Sequence, residues 1–241
     1  MSGTKYDKIF NDLRMKIESG TYAMQELIPS EHKLIQEYQC ARNTLRRAIS
    51  ELSAQGYVQI MHGKGVRVIY QPRRPSKYSL GQIVSFREAS AKNTQTTKTK
   101  VVLFTEIAVD ERVHARTSFP IGLDIYYIQR VRYIDGKALI IDHNFFRKDI
   151  VPALTEKICS GSIYDYIENT LGQNIVTTKR IVTIERVTEL DEKYLDLGDS
   201  NCVAVVSNYT YNADGVMFEF TQSRHQPDHF AFHDQAQRVK K

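Results

Sequence analysis

Residues 30–56 contain two short helical patterns joined by a tight turn, and this arrangement constrains the fold more than any other part of the chain. The first pattern begins at Ser30, a favoured N-cap residue, and repeats apolar side chains at helical spacing. The second begins at about Arg42 and stops at Gly56, because glycine tolerates the left-handed conformation that often follows a helix. An upstream helical pattern that ends at Gly20 supplies a third helix. Together they predict a three-helix unit of the helix-turn-helix type.

The second helix of this pair carries basic side chains away from its apolar face. Its apolar residues follow the spacing i, i+3, i+4, i+7 and are Leu45, Ala48, Ile49 and Leu52. The residues that fall largely off this face are Arg42, Asn43, Arg46 and Arg47. A helix of this kind can enter a DNA major groove with its N-terminal residues at the base edges.

A basic turn follows the helices. Residues 57–60 and 66–69 have the composition of two β-strands, and His62-Gly63-Lys64-Gly65 lies between them. The two glycines let the backbone come close to a phosphate or to a minor groove. The three helices and this turn together predict a winged helix-turn-helix.

The distribution of charge supports a nucleic-acid partner for the same segment. Residues 1–75 contain 12 Lys and Arg against 7 Asp and Glu, a net charge of +5. Residues 76–241 contain 21 of each and have no net charge. Because all the excess positive charge lies on the first segment, the attraction of DNA phosphates is directed there.

At these residues the chain resembles the GntR family of bacterial transcription factors. The family pattern is represented here by Pro29-Ser30-Glu31, Arg42-Asn43-Thr44-Leu45-Arg46 and Gly63-Lys64-Gly65, within residues 5–70. The resemblance implies a winged helix-turn-helix DNA-binding domain at residues 1–70. The residues that it implies for DNA binding are Ser30, Glu31, Arg42, Asn43, Thr44, Arg46, Arg47, His62, Gly63, Lys64 and Gly65.

Two residues depart from the family pattern. His32 stands where members often carry an arginine that touches a base, and Ala41 replaces the usual serine at the N-cap of the second helix. The missing cap should cost about 1 kcal/mol of helix stability. The alternative to DNA binding is a solvated, charged helix in an unrelated helical domain.

The rest of the chain has a different pattern, mostly of strands. Pro72 and Pro75 flank a basic pair and predict an extended linker at 71–77. Six β-branched and aromatic runs predict strands at 99–110, 124–135, 138–146, 175–187, 202–212 and 216–225. Two helices, capped by Ser162 and Thr188, are predicted at 162–171 and 189–195. The hairpin turns Asp135-Gly136 and Asp214-Gly215 favour antiparallel neighbours, so residues 78–241 are predicted to form an α+β domain with a mainly antiparallel sheet.

Several polar residues of this domain could hold a small anionic ligand. Arg130 and Arg132 are two apart on one predicted strand, so both guanidinium groups project from the same face. Ser162 lies at a predicted helix start, where backbone N–H groups favour phosphate. Asp142 and Glu219 could accept hydrogen bonds from sugar hydroxyls. The same pattern is also compatible with an exposed arginine face and an ordinary helix cap.

Residues 78–237 resemble the ligand-sensing UTRA domain of the HutC subfamily of these regulators. The resemblance implies a chorismate lyase-like fold. It also extends the candidate site by a loop before the first long strand and by a second residue at the start of the helix. The residues that match the sugar-phosphate sensors are Ser85, Phe86, Arg87, Arg130, Arg132, Asp142, Ser162, Tyr164, Glu219 and His225. Gln226 departs from the pattern, because many members carry an arginine there.

The likeness extends to the trehalose operon repressors of Gram-positive bacteria, through segments 130–136, 162–166 and 209–212. It implies a homodimeric repressor that binds an inverted-repeat operator in double-stranded DNA and is released by trehalose 6-phosphate, without a cofactor. Three alternatives stay open: a regulator of another sugar-phosphate or amino-sugar operon, a lyase-like enzyme fused to a DNA-binding domain, and a DNA-binding protein whose second domain only dimerises. The sequence has no serine-histidine-acid motif, phosphate loop or metal spacing that would indicate catalytic residues.

The histidines near the carboxyl end form the one pattern that could indicate a metal site. His225, His229 and His233 are spaced by four, but Pro227 interrupts any helix that would bring them together, so we expect no metal. The three cysteines are scattered, the chain has no long apolar run, and from its charged amino terminus we expect no signal peptide. These features predict a cytoplasmic protein with reduced thiols and no membrane partner.

Overall fold

A computed structural model describes residues 4–71, 78–79 and 96–233, with the backbone alone at 78–79 and at 233. The described residues divide into two compact units, one made of residues 4–71 and the other of residues 78–79 and 96–233. Most of the predicted linker, 71–77, lies outside the described residues, as do Ser85, Phe86 and Arg87. The predicted domain limits therefore stay predictions. In the part of the chain that the structure describes, no helix is both long and apolar enough to cross a membrane.

Three helices and a two-stranded wing form the N-terminal unit. The helices are α1 (Lys5–Glu18), α2 (Glu31–Tyr38) and α3 (Arg42–Ala54), and the antiparallel strands are β1 (Val58–Met61) and β2 (Gly65–Val68). Leu13, Leu34, Leu45 and Leu52 are fully buried between the helices. The predicted winged helix-turn-helix is confirmed. Ser30 caps α2, whereas Ala41 gives α3 no side-chain cap, as its missing hydroxyl predicts.

A six-stranded antiparallel sheet forms the frame of the second unit, which we call the sensing unit. Its strands are β4 (Thr97–Ala108), β5 (Asp124–Ile134), β6 (Lys137–Arg147), β7 (Ile175–Arg186), β8 (Cys202–Asn212) and β9 (Met217–His225). They lie in the order β4-β5-β6-β9-β8-β7. A short parallel pair joins β3 (Tyr78–Ser79) to β10 (Phe232–His233). All six predicted long strands are present, with ends that differ by a few residues.

Helices cover both faces of this sheet. The α-helices that the structure describes in the sensing unit are α4 (Glu111–Thr117), α5 (Glu156–Ser160), α6 (Ile163–Asp165) and α7 (Glu189–Tyr194). The chain continues from α6 as a π-helical turn to Thr170, and a 3-10 turn spans Pro227–His229. Side chains of α5 and α6 pack with Ile128 and Phe146 on one face. Side chains of α4 and α7 pack against the buried residues on the other face of the sheet. The sequence predicted α7 and the region of α6, but it missed α4 and α5.

Candidate DNA-binding and effector sites

Glu31 links the start of α2 to the exposed face of α3. Its two carboxylate oxygens accept hydrogen bonds from Arg42 Nε at 3.1 Å and Arg46 Nε at 3.0 Å. The hydrogen bond from Arg46, followed by that from Arg42, holds the pKa of Glu31 below its usual range. The two arginine side chains stay 66% and 55% exposed. Ion pairs this exposed contribute about 0–1 kcal/mol to stability.

The remaining residues that were predicted at this face take different environments. Asn43 is exposed and Thr44 is half-buried. The Cζ atom of Arg47 lies 4.6 Å from the centre of the Tyr6 ring, in a cation–π contact. The hydroxyl of Ser30 accepts from the Lys33 amide at 3.4 Å and serves as a helix cap. Ser30 and Arg47 thus have structural contacts, whereas Arg42, Asn43 and Arg46 extend into solvent.

The wing turn is exposed along its whole length. His62, Gly63, Lys64 and Gly65 are all exposed. Gly63 and Gly65 have φ angles of 70° and 103°, in the left-handed region that favours glycine. A Cβ added to Gly65 would meet only the Leu27 side chain, at 3.7 Å, so the backbone conformation rather than crowding explains the glycine. The turn can therefore present its backbone and the Lys64 cation to a nucleic-acid surface.

A row of buried polar residues crosses one face of the sheet in the sensing unit. In register, Arg130 lies opposite Asp142 and Asp142 opposite Ser223, while Asn144 lies opposite Thr221. We call this row the polar strip, and its members are Arg130, Arg132, Asp142, Asn144, Glu219, Thr221 and Ser223. All except the half-buried Ser223 are buried. The possibility of an exposed arginine face is therefore wrong.

Asp142 is the centre of charge at one end of the polar strip. Its Oδ2 accepts from Arg132 Nε at 2.7 Å and lies 3.8 Å from Arg130 Nη2. Its Oδ1 accepts from the Ser223 hydroxyl at 2.7 Å. Arg132 Nη1 also donates to the Thr99 hydroxyl at 2.6 Å. Two guanidinium groups are thus held beside a single carboxylate.

At the other end of the polar strip, a chain of hydrogen bonds runs from Arg130 to Glu219. Arg130 Nε donates to Asn144 Oδ1 at 2.7 Å, and Asn144 Nδ2 donates to the Thr221 hydroxyl at 2.8 Å. The Thr221 hydroxyl donates to Glu219 Oε1 at 2.6 Å. The Tyr164 hydroxyl donates to Glu219 Oε2 at 2.7 Å. This chain connects the cationic end to the aromatic ring of Tyr164.

Burial and charge move the pKa values of the strip in opposite directions. Burial raises the pKa of Asp142, but the charges of Arg132 and Arg130 outweigh it and leave that pKa below its usual range. Burial raises the pKa of Glu219, against hydrogen bonds from Thr221 and Tyr164. Burial, followed by the neighbouring Arg132, lowers the pKa of Arg130 to about 10. Asp142 therefore stays ionised beside the two guanidinium groups.

Ser162 and His225 lie beside the strip in more ordinary environments. The Ser162 hydroxyl accepts from the Asp165 amide at 3.2 Å, so it caps a helix whose α-helical part has only three residues. His225 is buried, its ring centre lies 5.0 Å from that of Phe230, and burial lowers its pKa to about 4. Among the described side chains, which exclude that of His233, no group of three or more His, Cys, Asp or Glu is placed to hold a metal ion.

Sequence reasoning missed four polar residues of this site. They are Thr99, Asn144, Thr221 and Ser223, and each contacts a predicted member. The signal for two of them was present, because Glu219, Thr221 and Ser223 alternate along one strand and must share a face. The other contacts depend on the register between strands, which a single sequence does not reveal.

Comparison with known proteins identifies the class. The family model described as bacterial regulatory proteins, gntR family, matches residues 5–68, and the UTRA domain model matches residues 92–231. The chain is 35% identical over 240 residues to the HTH-type transcriptional regulator TreR of Bacillus subtilis, covering 100% of each chain. The chain therefore belongs to the GntR family of bacterial regulatory proteins and carries a UTRA domain.

Two solved structures are similar to this chain. The effector-binding domain of the B. subtilis trehalose repressor is 37% identical with a TM-score of 0.54, and the match covers 59% of this chain and 99% of that one. The regulator YydK from B. subtilis, at 22% identity, shares the fold with a TM-score of 0.81 over 98% of this chain and 100% of that one.

More particularly, the chain is a transcriptional repressor of the GntR–UTRA type. It binds DNA through its helix-turn-helix and a small-molecule effector through its UTRA domain. Its relatives are named transcriptional regulators, so the alternative of a lyase-like enzyme is wrong.

Proposed function

We propose that this repressor controls a trehalose-utilisation operon and leaves its operator when trehalose 6-phosphate binds the polar strip. The observation that carries the proposal is the pair of buried arginines around one ionised carboxylate. A phosphate dianion can accept several charge-assisted hydrogen bonds from such a pair of guanidinium groups. A neutral sugar accepts only the weaker hydrogen bonds of uncharged acceptors from the same groups.

The rest of the strip suits the sugar part of such an effector. Asn144, Thr221 and Glu219 offer donors and acceptors that can orient hydroxyl groups, and Tyr164 offers a ring face. Ser85, Phe86, Arg87, Ser162 and His225 are proposed as further effector contacts, on the resemblance alone. The similar effector-binding domain from B. subtilis, which is named as that of the trehalose repressor TreR, supports trehalose over other sugars.

On the DNA side, we assign the reading of bases to Arg42 and Arg46. Glu31 engages the Nε atom of each guanidinium, and each guanidinium has further donors on its two terminal nitrogens. A fixed guanidinium is well suited to the O6 and N7 atoms of a guanine. Lys64 and the wing contact the phosphate backbone. The repressor acts as a homodimer on an inverted repeat, so each half-site receives one recognition helix.

Effector binding must favour the form of the repressor that does not hold the operator. A ligand shifts such an equilibrium only by its difference in affinity for the two forms. A residue that binds the phosphate should therefore be needed for release and not for operator binding.

Arg132→Ala tests this assignment. We expect the variant to hold the operator with parental affinity and to lose release by trehalose 6-phosphate, because one of the two phosphate-facing cations is gone. Lys98→Ala is the matched control, since Lys98 is an exposed cation on β4 that pairs in register with Tyr133. Release is followed by fluorescence anisotropy of a labelled operator. A folded Arg132→Ala protein that releases DNA at the parental effector concentration would contradict the assignment.

A further inference from the structure

The face that carries the polar strip continues across β8 and β7. In register, Thr221 lies opposite Asn208, and Asn208 lies opposite Arg180. Glu219 likewise lies opposite Thr210. Because directly opposite residues of antiparallel strands share a face, Asn208 and Arg180 lie on the same face as the strip.

These outer residues are held in place much as the strip is. Arg180 Nε donates to Asn208 Oδ1 at 2.7 Å, and the hydroxyls of Thr178 and Thr210 are 3.0 Å apart. Arg180 is half-buried. Burial lowers its pKa, and its interaction with Tyr164 opposes that effect. The Tyr164 hydroxyl donates to Glu219, and the same residue influences the pKa of Arg180. Tyr164 therefore lies between the polar strip and Arg180.

The distance between the two ends is large. Arg132 is on β5 and Arg180 is on β7, four strand spacings away in the sheet order. Four spacings of about 4.8 Å, combined with a register offset of four residues along the strand, put the two backbones about 23 Å apart. A phosphate held at Arg132 with one attached pyranose ring covers only the near part of this face. A second ring brings its hydroxyls toward Asn208 and Arg180.

We propose that Arg180 and Asn208 bind the second sugar ring of the effector, so that they set the preference for a disaccharide phosphate over a monosaccharide phosphate. This inference rests on the proposed function and adds the specificity of the same site. Both side chains can form hydrogen bonds with sugar hydroxyl groups. The Arg180 guanidinium supplies several N–H donors, and the Asn208 amide supplies a donor and an acceptor.

Isothermal titration of the full-length chain with trehalose 6-phosphate and with glucose 6-phosphate tests the inference. Arg180→Gln and Asn208→Ala should each raise the Kd of trehalose 6-phosphate about tenfold or more, the change expected for loss of a hydrogen bond to a charged or well-fixed group. The Kd of glucose 6-phosphate should change less than about twofold, because the near end is untouched. Lys179→Gln is the matched control, since Lys179 is the exposed neighbour of Arg180 on the same strand and projects from the opposite face.

The outcomes separate this inference from the proposed function. Unchanged affinity for trehalose 6-phosphate in both variants would overturn the inference alone. An equal loss of affinity for both ligands would also overturn it, because it would show that Arg180 acts on the near end through Tyr164. A parent protein that does not bind trehalose 6-phosphate would contradict the proposed function and this inference together.

Discussion

Asp142→Asn removes the charge around which two arginines are buried while it keeps the shape of the side chain. In the parent, Asp142 accepts from Arg132 and Ser223 and lies 3.8 Å from a terminal nitrogen of Arg130. An asparagine can still accept from Ser223, but it leaves both guanidinium groups without this carboxylate. The variant therefore tests whether the cations of the strip depend on a negative charge at this point.

The expected loss of stability is large. Removing one partner of a buried ion pair typically costs about 3–5 kcal/mol, because the remaining charge stays desolvated. For a unit of this size, 1 kcal/mol corresponds to about 2–4 °C, so the Tm of the sensing unit should fall by about 6–20 °C. The matched control is Asp149→Asn, whose carboxylate pairs with Arg147 at 2.6 Å and is 52% exposed. That change should cost no more than about 1 kcal/mol.

An added anion should restore part of the loss. In Asp142→Asn the two arginines lack their fixed counterion, so phosphate or trehalose 6-phosphate binds a site with more uncompensated positive charge. By linkage, tighter binding to the folded state gives a larger rise in Tm at the same ligand concentration. Differential scanning calorimetry of the parent and both variants, with and without phosphate, measures these effects. A Tm loss no larger than that of Asp149→Asn, or a phosphate shift no larger than that of the parent, would refute the reasoning.

Two further predictions concern the recognition helix and the buried histidines. Arg46→Ala should weaken specific operator binding by about 1–3 kcal/mol and relax the base preference at one position in each half-site, whereas Lys64→Ala should weaken binding to all sequences alike. Both effects are measured by anisotropy with a set of operator variants. Equal operator affinity of Arg46→Ala and the parent would exclude the role of Arg46 in reading a base. Burial lowers the pKa of His143 and of His225 from 6.5 to about 4, so the unfolded chain takes up these protons first and the free energy of unfolding should fall as the pH drops from about 6.5 to about 4. Urea unfolding at several pH values measures the slope, which His143→Gln should reduce; an unchanged slope would count against a buried, neutral His143.

The sequence predicted the elements with strong periodicity. The apolar spacing of α3 and the β-branched runs of the six long strands each extend over enough residues to define a period. The missed helices α4 and α5 have seven and five residues, too few for a clear helical period. Their N-caps, Asp110 and Thr155, were the signals available. Short helices that pack on a sheet are stabilised by the surface beneath them, which a local pattern does not contain.

The candidate site shows a similar division. The spacing of Arg130 and Arg132 correctly placed both on one face, but it left open whether that face was exposed or buried. Their burial depends on Asp142 and Asn144, which lie opposite only after the strands pair in this register. Arg180 was not predicted as a site residue for the same reason, since it reaches the strip's face through two strand pairings.

The most direct test of the account compares operator release by trehalose 6-phosphate and by free trehalose. A labelled operator bound to the full-length repressor is titrated with each compound, and with inorganic phosphate, while the anisotropy is recorded. We expect release by trehalose 6-phosphate at concentrations where free trehalose has no effect, because only the phosphorylated sugar offers Arg130 and Arg132 a charged acceptor. Equal potency of trehalose and its 6-phosphate would contradict the assignment of the polar strip as a phosphate site.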